Sequence, residues 1–234
     1  MKKKHFLIFG GSGSIGSSII EKFESNDWIV TCISRKKENS KNTIFWDVLN
    51  DPNPQIEDQI LNLGLVDAVC WAQGMNGNDN IGNFNEKFHM ELYRVNVVFI
   101  LKSLHFLLNK NLLNKNAKLC VLSSIWQLIS RQEKLSYGIT KSAIQGLVLS
   151  LANDLAKDGY FVNAVLPGVI DTPMTHQNLS QLQIEKVKQS TGFNKLNNLE
   201  DVANTVHFLL SSNNSGITGQ FIKVDLGFSD VRII

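Results

Sequence analysis

Short, near-continuously apolar runs alternate with helical patterns along the whole chain, and this alternation limits the possible folds more than any other feature. Residues 5–9 read as a strand, followed by a Gly/Ser loop and a helix over about 14–25. Residues 28–33, 43–47, 67–71, 117–123, 160–166 and 220–224 read as further strands. Between them lie helical patterns over 55–63, 86–108, 136–157 and 200–210. A strand covered on both faces loses the in–out alternation of an exposed sheet and becomes a solid apolar run. The pattern therefore predicts an α/β class chain: a doubly wound, seven-stranded parallel sheet with helices on both faces. With no internal repeat and no linker, residues 1–234 read as one domain, with polar residues 173–198 as an insertion.

Composition supports a globular chain. Of 234 residues, 43% are hydrophobic and 19% charged, enough apolar material for a large core and too little charge for a disordered segment. A formal net charge of +2 gives no reason to expect nucleic acid or an anionic membrane as partner. Lys2, Lys3 and Lys4 make a basic start, but the apolar run behind them is too short for a signal-peptide core and passes straight into a glycine loop. No apolar stretch approaches the length of a membrane span. Cys32, Cys70 and Cys120 each fall inside a predicted strand, as small buried hydrophobes of a reducing compartment. The five histidines make no ligand pattern, so no metal is expected. Together these features predict a cytoplasmic protein, and the many Asn residues beside Lys and Ile suggest an AT-rich bacterial genome.

Gly10, Gly11, Ser12, Gly13, Ser14, Ile15 and Gly16 follow the first strand and open the first helix. Glycines let the backbone approach a diphosphate, and the helix N-terminus favours its charge, so this loop predicts a dinucleotide site. The end of the second strand selects the dinucleotide. A carboxylate there would bind ribose hydroxyls, whereas a cation accepts a 2′-phosphate. Ser34, Arg35 and Lys36 stand there, with no acidic residue before Glu38, which favours NADP(H) over NAD(H).

Tyr137 and Lys141 are four residues apart at the head of a helical pattern, on one helix face, and Ser124 ends a predicted strand thirteen residues upstream. An ammonium beside a phenol is expected to pull the phenol below its ordinary pKa of about 10. A seryl hydroxyl can hold the substrate oxygen while a hydride moves at the adjacent carbon. The two long helices, 86–108 and 136–157, are apolar on nearly all sides, and Ser142, Gly146 and Ser150 form a row of small residues. Such helices must be buried twice, which predicts a homodimer or homotetramer built through them.

Taken together, these motifs resemble the short, single-domain branch of the short-chain dehydrogenase/reductase family, over the whole chain. The resemblance rests on Gly10, Ile15 and Gly16 in the cofactor loop, Asp47 and Val48 after the third strand, Asn96 between two valines, Ser124, and Tyr137 with Lys141. It extends to Pro167, Gly168, Val169, Ile170, Asp171, Thr172 and Pro173, and to Val224, Asp225, Leu226 and Gly227. It implies a catalytic set of Asn96, Ser124, Tyr137 and Lys141. Tyr137 acts as proton donor, Ser124 as holder of the substrate oxygen, Lys141 as partner of the nicotinamide ribose, and Asn96 as support for a water leading to solvent. It also implies that the cofactor is contacted by Gly10, Ser12, Gly13, Ser14, Ile15, Gly16, Ser34, Arg35, Asp47, Val48, Ala72, Gln73, Gly74, Tyr137, Lys141, Pro167, Gly168, Ile170 and Thr172. The chain departs from the family pattern at Phe9 (often Thr), at Ser14 (for the middle glycine), and at Trp71, Ala72, Gln73 and Gly74 (for Asn-Asn-Ala-Gly).

The implied activity is NADP(H)-dependent interconversion of a carbonyl and a secondary alcohol. The overall look is that of bacterial 3-oxoacyl-ACP reductases, which act on acyl thioesters held by an acidic carrier protein, and Arg131 and Lys134 are the nearby cations for such a partner. A keto-sugar or sugar nucleotide of surface-glycan synthesis is the alternative small-molecule substrate, and a non-catalytic cofactor sensor is a third reading. Substrate walls are expected from 74–85, from 125–135 and from a lid at 173–198, with Trp126, Gln127, Met174 and His176 as liners.

Overall fold

A computed structural model describes residues 3–35 and 42–231. Lys2, Lys36 and Glu38, which entered the charge and cofactor readings, lie outside the described residues. Seven parallel strands form one sheet in the order β3-β2-β1-β4-β5-β6-β7. They are β1 (His5–Phe9), β2 (Ile29–Ser34), β3 (Thr43–Phe45), β4 (Val66–Trp71), β5 (Leu113–Leu122), β6 (Phe161–Pro167) and β7 (Phe221–Val224). The order reverses between β1 and β4, which opens a crevice beyond their C-terminal ends.

Alternate strand residues feed two separate cores. Leu7, Phe9, Val69, Trp71, Leu119 and Val121 face one side, with α4 (Phe99–Asn109) and α5 (Leu135–Asp154). Phe6, Ile8, Cys70, Cys120 and Val165 face the other, with α1 (Ser14–Glu24) and α8 (Leu199–Leu210). This is the doubly wound architecture that the solid apolar runs predict. All three cysteines are buried and none is in a disulfide. Cys32, Ile8, Cys70 and Cys120 lie in one register row across β2, β1, β4 and β5.

Most element ends lie within one to three residues of expectation, and two elements depart further, each for a local reason. β5 starts at Leu113 and not at 117: Leu113 pairs with Val66, the chain bulges through 114–116 with Asn116 at φ +63°, and pairing resumes at Lys118 with Ala68. The polar bulge hides the first pairing from an apolar pattern. The long helix expected over 86–108 is three pieces: α3 (Glu86–Tyr93), a π-helical segment (Arg94–Val98) and α4. Shorter helices follow β3 and β6: α2 (Pro54–Leu61), α6 (Pro173–Asn178) and α7 (Gln181–Gln189), the last two inside the 173–198 insertion. Trp71, one of the departures noted above, is buried and donates from Nε1 to Ser103 Oγ at 2.7 Å, which fixes α4 to the sheet. Among the described residues no helix is long and apolar enough to cross a membrane.

Candidate active site

The glycine loop lies at the sheet's crevice, and its shape explains its composition. Gly10 has φ +81°, and a Cβ there would lie 2.5 Å from Gln73 N. A Cβ on Gly16 would lie 2.3 Å from Gly10 O. α1 begins at Gly13 with no side-chain cap and no acidic residue in its first turn, so its first N–H groups are left for an anion. Ser12, Gly13 and Ser14 are exposed around that opening, Ile15 is half-buried, and Ser17 Oγ bonds back to Gly11 O at 3.1 Å. Phe9, in place of the usual Thr, is buried between Trp71 (5.9 Å, stacked) and Phe99 (5.8 Å, edge-on). The residues here fit a dinucleotide: an uncapped helix start beside a glycine cradle, with the backbone of Gln73 against Gly10 and both Gln73 side-chain amide atoms buried and unpaired.

Ser34 is buried at the end of β2, and Arg35 follows it exposed. Val48 is fully buried. The Asp47 carboxylate caps the turn after β3, accepting from Leu49 N and Asn50 Nδ2, both at 3.2 Å. Ala72 continues β4, its N–H donating to Phe9 O at 2.9 Å. At the other end of the crevice, Pro167 pairs with Val224 and Gly168 N donates to Val224 O. Ile170 forms an isolated parallel bridge with Asn197. Thr172 caps α6, its Oγ1 accepting from Thr175 N at 3.2 Å.

Between these two ends the structure brings Ser124, Tyr137 and Lys141 together. Ser124 caps a 3-10 turn (Ile125–Gln127) and accepts from Trp126 N at 3.3 Å. Burial pushes the Tyr137 phenol up to about 12, opposed by a hydrogen bond with the Ser124 side chain. Lys141, 4% exposed, places Nζ 5.7 Å from the Tyr137 ring centroid and donates to Leu122 O at 3.2 Å. Burial pushes Lys141 down to about 8. The direction is opposite to the expectation that the ammonium holds the phenol low: desolvation outweighs the Ser124 hydrogen bond, the one influence that lowers it. Near neutral pH the phenol keeps its proton, which is the state a proton donor requires.

Asn96, 1% exposed, sits in the π-helical segment. Its Oδ1 accepts from Met75 N at 2.8 Å, and its Nδ2 donates to Met75 O and Thr140 Oγ1, both at 3.0 Å. A widened turn there carries the amide to the strand-end loop, in keeping with the functional bias of π-bulges. A Cβ on Gly74 would stand 3.5 Å from Asn96 Oδ1 and 3.8 Å from Lys141 Nζ, so both atoms flank Gly74.

The substrate walls hold corrections. Gln127 is 5% exposed, so it packs inside the fold and does not line an open wall. Lys134 is likewise 5% exposed and bonded to three oxygens, which removes it as a carrier-protein contact. Trp126 is half-buried, with the Arg131 guanidinium 5.7 Å from its ring and Phe228 edge-on at 6.4 Å. Phe228, 102 positions along the chain from Trp126, has no local sequence signal. Met174 is exposed, and His176 bonds Asp171 at 2.6 Å.

Comparison with known proteins fits this geometry. The family described as enoyl-(acyl carrier protein) reductase matches residues 55–229. The oxidoreductase YmfI of Bacillus subtilis (strain 168) is 34% identical over 244 residues, spanning 96% of this chain and 98% of that protein. The 3-oxoacyl-[acyl-carrier-protein] reductase FabG of Buchnera aphidicola subsp. Baizongia pistaciae is 26% identical over 239 residues, 96% of this chain and 97% of that one. Among solved structures, ElxO with NADP bound shares the fold at a TM-score of 0.82 and 24% identity, over 97% of this chain and 99% of that chain.

Proposed function

The chain belongs to the short-chain dehydrogenase/reductase family of oxidoreductases, and on that premise we propose that it reduces a 3-oxoacyl thioester, or oxidises the corresponding alcohol, with NADP(H). One observation carries the chemistry: the half-buried Tyr137 phenol converges with the Ser124 hydroxyl and the Lys141 ammonium, whose Nζ lies 5.7 Å from its ring centroid. The nicotinamide, when bound, supplies or takes the hydride. Tyr137 Oη gives its proton to the carbonyl oxygen as that oxygen gains charge, and Ser124 Oγ holds the same oxygen. Lys141 binds the nicotinamide ribose and holds positive charge near the phenol. Asn96 keeps Met75 and Gly74 in place beside Lys141 and supports a water path to solvent. Gly10, Ser12, Gly13, Ser14, Ile15 and Gly16 hold the diphosphate. Asp47 and Val48 flank the adenine, Ala72, Gln73 and Gly74 pass the cofactor ribose, and Pro167, Gly168, Ile170 and Thr172 flank the carboxamide. Arg35 accepts the 2′-phosphate that distinguishes NADP(H).

The lid supports an acyl substrate. Met174, Leu182 and Phe193 are large apolar residues left exposed on the 173–198 segment, a surface suited to an alkyl chain. Arg131, exposed beside Trp126, is the cation for an acidic carrier protein. The test is Tyr137→Phe with acetoacetyl thioesters and NADPH. Turnover should fall by about 10³-fold or more while NADPH still binds, since only the proton donor is lost. Wild-type activity confined to keto-sugars would transfer the assignment to the polar substrate class, and turnover unchanged in Tyr137→Phe would remove the mechanism.

A further inference from the structure

Each residue from 75 to 79 is bonded either to Asn96 or to the head of α5. Met75 is held through both its N–H and C=O by Asn96. Lys134 Nζ donates to Asn76 Oδ1 at 2.7 Å, Gly77 O at 3.0 Å and Asn78 Oδ1 at 2.6 Å. The buried Asp79 carboxylate accepts from Ser136 N at 2.9 Å and from Ser136 Oγ at 2.5 Å, and Asp79 O accepts from Leu135 N at 3.1 Å. Ser136 Oγ also lies 2.9 Å from His89 Nδ1 of α3. Tyr137 is the next residue, and the Lys134 ammonium lies 5.3 Å from its ring centroid. The phenol ring thus has two ammonium groups near it, one of which the proton-transfer chemistry above does not use.

We propose that Lys134 is a positioning residue of the reaction: its ammonium, caged by the oxygens of residues 76–78, joins the loop beyond β4 to the head of α5 and so fixes the Tyr137 ring relative to Gly74, Asn96 and Lys141. An ammonium has three N–H donors and the cage has three acceptors, so every one is satisfied in the charged form. A neutral amine has only two N–H donors and an alkyl group has none, so at least one of these oxygens loses its protein partner. Arg131 repels this charge, Asp79 favours it, and burial is the largest influence, leaving the amine at about 8. The clamp is therefore charged at neutral pH. A site held this way tolerates little displacement, because proton transfer from Tyr137 depends on sub-ångström placement.

The inference rests on the redox reading for its kinetic arm only. Its primary measurement is amide hydrogen exchange in the substrate-free protein, so failure of the clamp and failure of the assigned activity are told apart. In Lys134→Met, the Met75 and Gly77 amides should exchange at least about 10-fold faster, with the β4 and β5 amides unchanged. kcat should fall about 10–100-fold, and the NADPH Kd should move less than about 3-fold, because misplacement affects the transition state more than cofactor binding. In Lys134→Ala, ethylammonium should restore part of the protection and of kcat, whereas tetramethylammonium, which has no N–H, should not. Should Lys134→Met fail to fold, the Asn78→Ala protein keeps the lysine and removes one cage oxygen, leaving Asn76 Oδ1 as the acceptor of Gly77 N, and it must show the same loop opening. Native exchange at Met75 and Gly77 in these variants, an unchanged kcat in the opened loop, or equal rescue by both amines overturns the proposal.

Discussion

Replacing Gly10 by Ala tests whether the loop geometry, and not its flexibility, builds the cofactor site. At φ +81° an alanine adopts the left-handed region, at a cost of about 1–2 kcal/mol. Its Cβ would also lie 2.5 Å from Gln73 N, 2.7 Å from Gln73 Cα and 2.9 Å from Ala72 C. All three are backbone atoms at the end of β4, so no rotamer change relieves the clash, and overpacking adds about 1–3 kcal/mol. The sum is about 2–5 kcal/mol, or a fall in Tm of roughly 5–15 °C for a chain of this size. Gly64 supplies the control, since its φ is +74° but nothing lies within 4 Å of a Cβ there. Gly64→Ala should lose only the left-handed term, about 1–2 kcal/mol. Calorimetry of both variants, with and without saturating NADPH, measures the difference. Gly10→Ala should also lose most of the NADPH-induced rise in Tm, which Gly64→Ala keeps. Equal losses of Tm in the two proteins, with equal stabilisation by NADPH, would show that the close approach of Gly10 to β4 has no energetic weight.

Arg35→Ala should raise the NADPH KM far more than the NADH KM, and equal changes in steady-state kinetics with both cofactors would remove the case for 2′-phosphate recognition. Lys141 titrates near 8 when folded, against 10.5 for an unperturbed lysine. Between those values the unfolded chain holds more protons, so stability rises with pH across that window, and below pH 8 the whole cost of a buried charge stands. Lys141→Met should therefore stabilise the fold at pH 7, by on the order of 2 kcal/mol, while abolishing turnover. Denaturant unfolding at pH 7 and pH 10 checks this, and a variant less stable than wild type at pH 7 refutes it. Gly146, in the middle of α5, has nothing within 4 Å of a Cβ, so Gly146→Ala should add about 1 kcal/mol to an isolated chain. If a second copy packs on the exposed row of Ser142, Gly146 and Ser150, the same change should weaken assembly in analytical ultracentrifugation.

β1 has the limits the sequence predicted, because the buried run from Phe6 to Phe9 is apolar at every position behind His5 and stops where the glycines begin. The site was legible where chemistry and local geometry coincide. Tyr137 and Lys141 share a helix face, and Ser124 stands where β5 ends. What stayed hidden depends on long-range bonds. A π-helical turn at Asn96 leaves the same apolar pattern as a regular helix, and its cause, the backbone of Met75, is 21 residues away. Lys134 reads as a surface cation until the Asn side chains 56 and 58 positions earlier surround it. The phenol's direction of shift was misread for the same reason: spacing shows which charges are near, while burial, the largest influence here, is set by the whole fold.

The parallel bridge between Ile170 and Asn197 closes the base of the segment that contains α6 and α7. Asn197 also donates to Val224 O, and Asp171 N donates to Asn197 O, so the two ends of that segment are bonded to each other and anchored to β7 through Asn197. The cap is thus a replaceable cassette on a fixed hinge plate. On the proposed reading of 173–198 as a lid, lengthening, shortening or grafting residues between these two anchor points would change which molecules are admitted while leaving the proposed proton-transfer apparatus undisturbed.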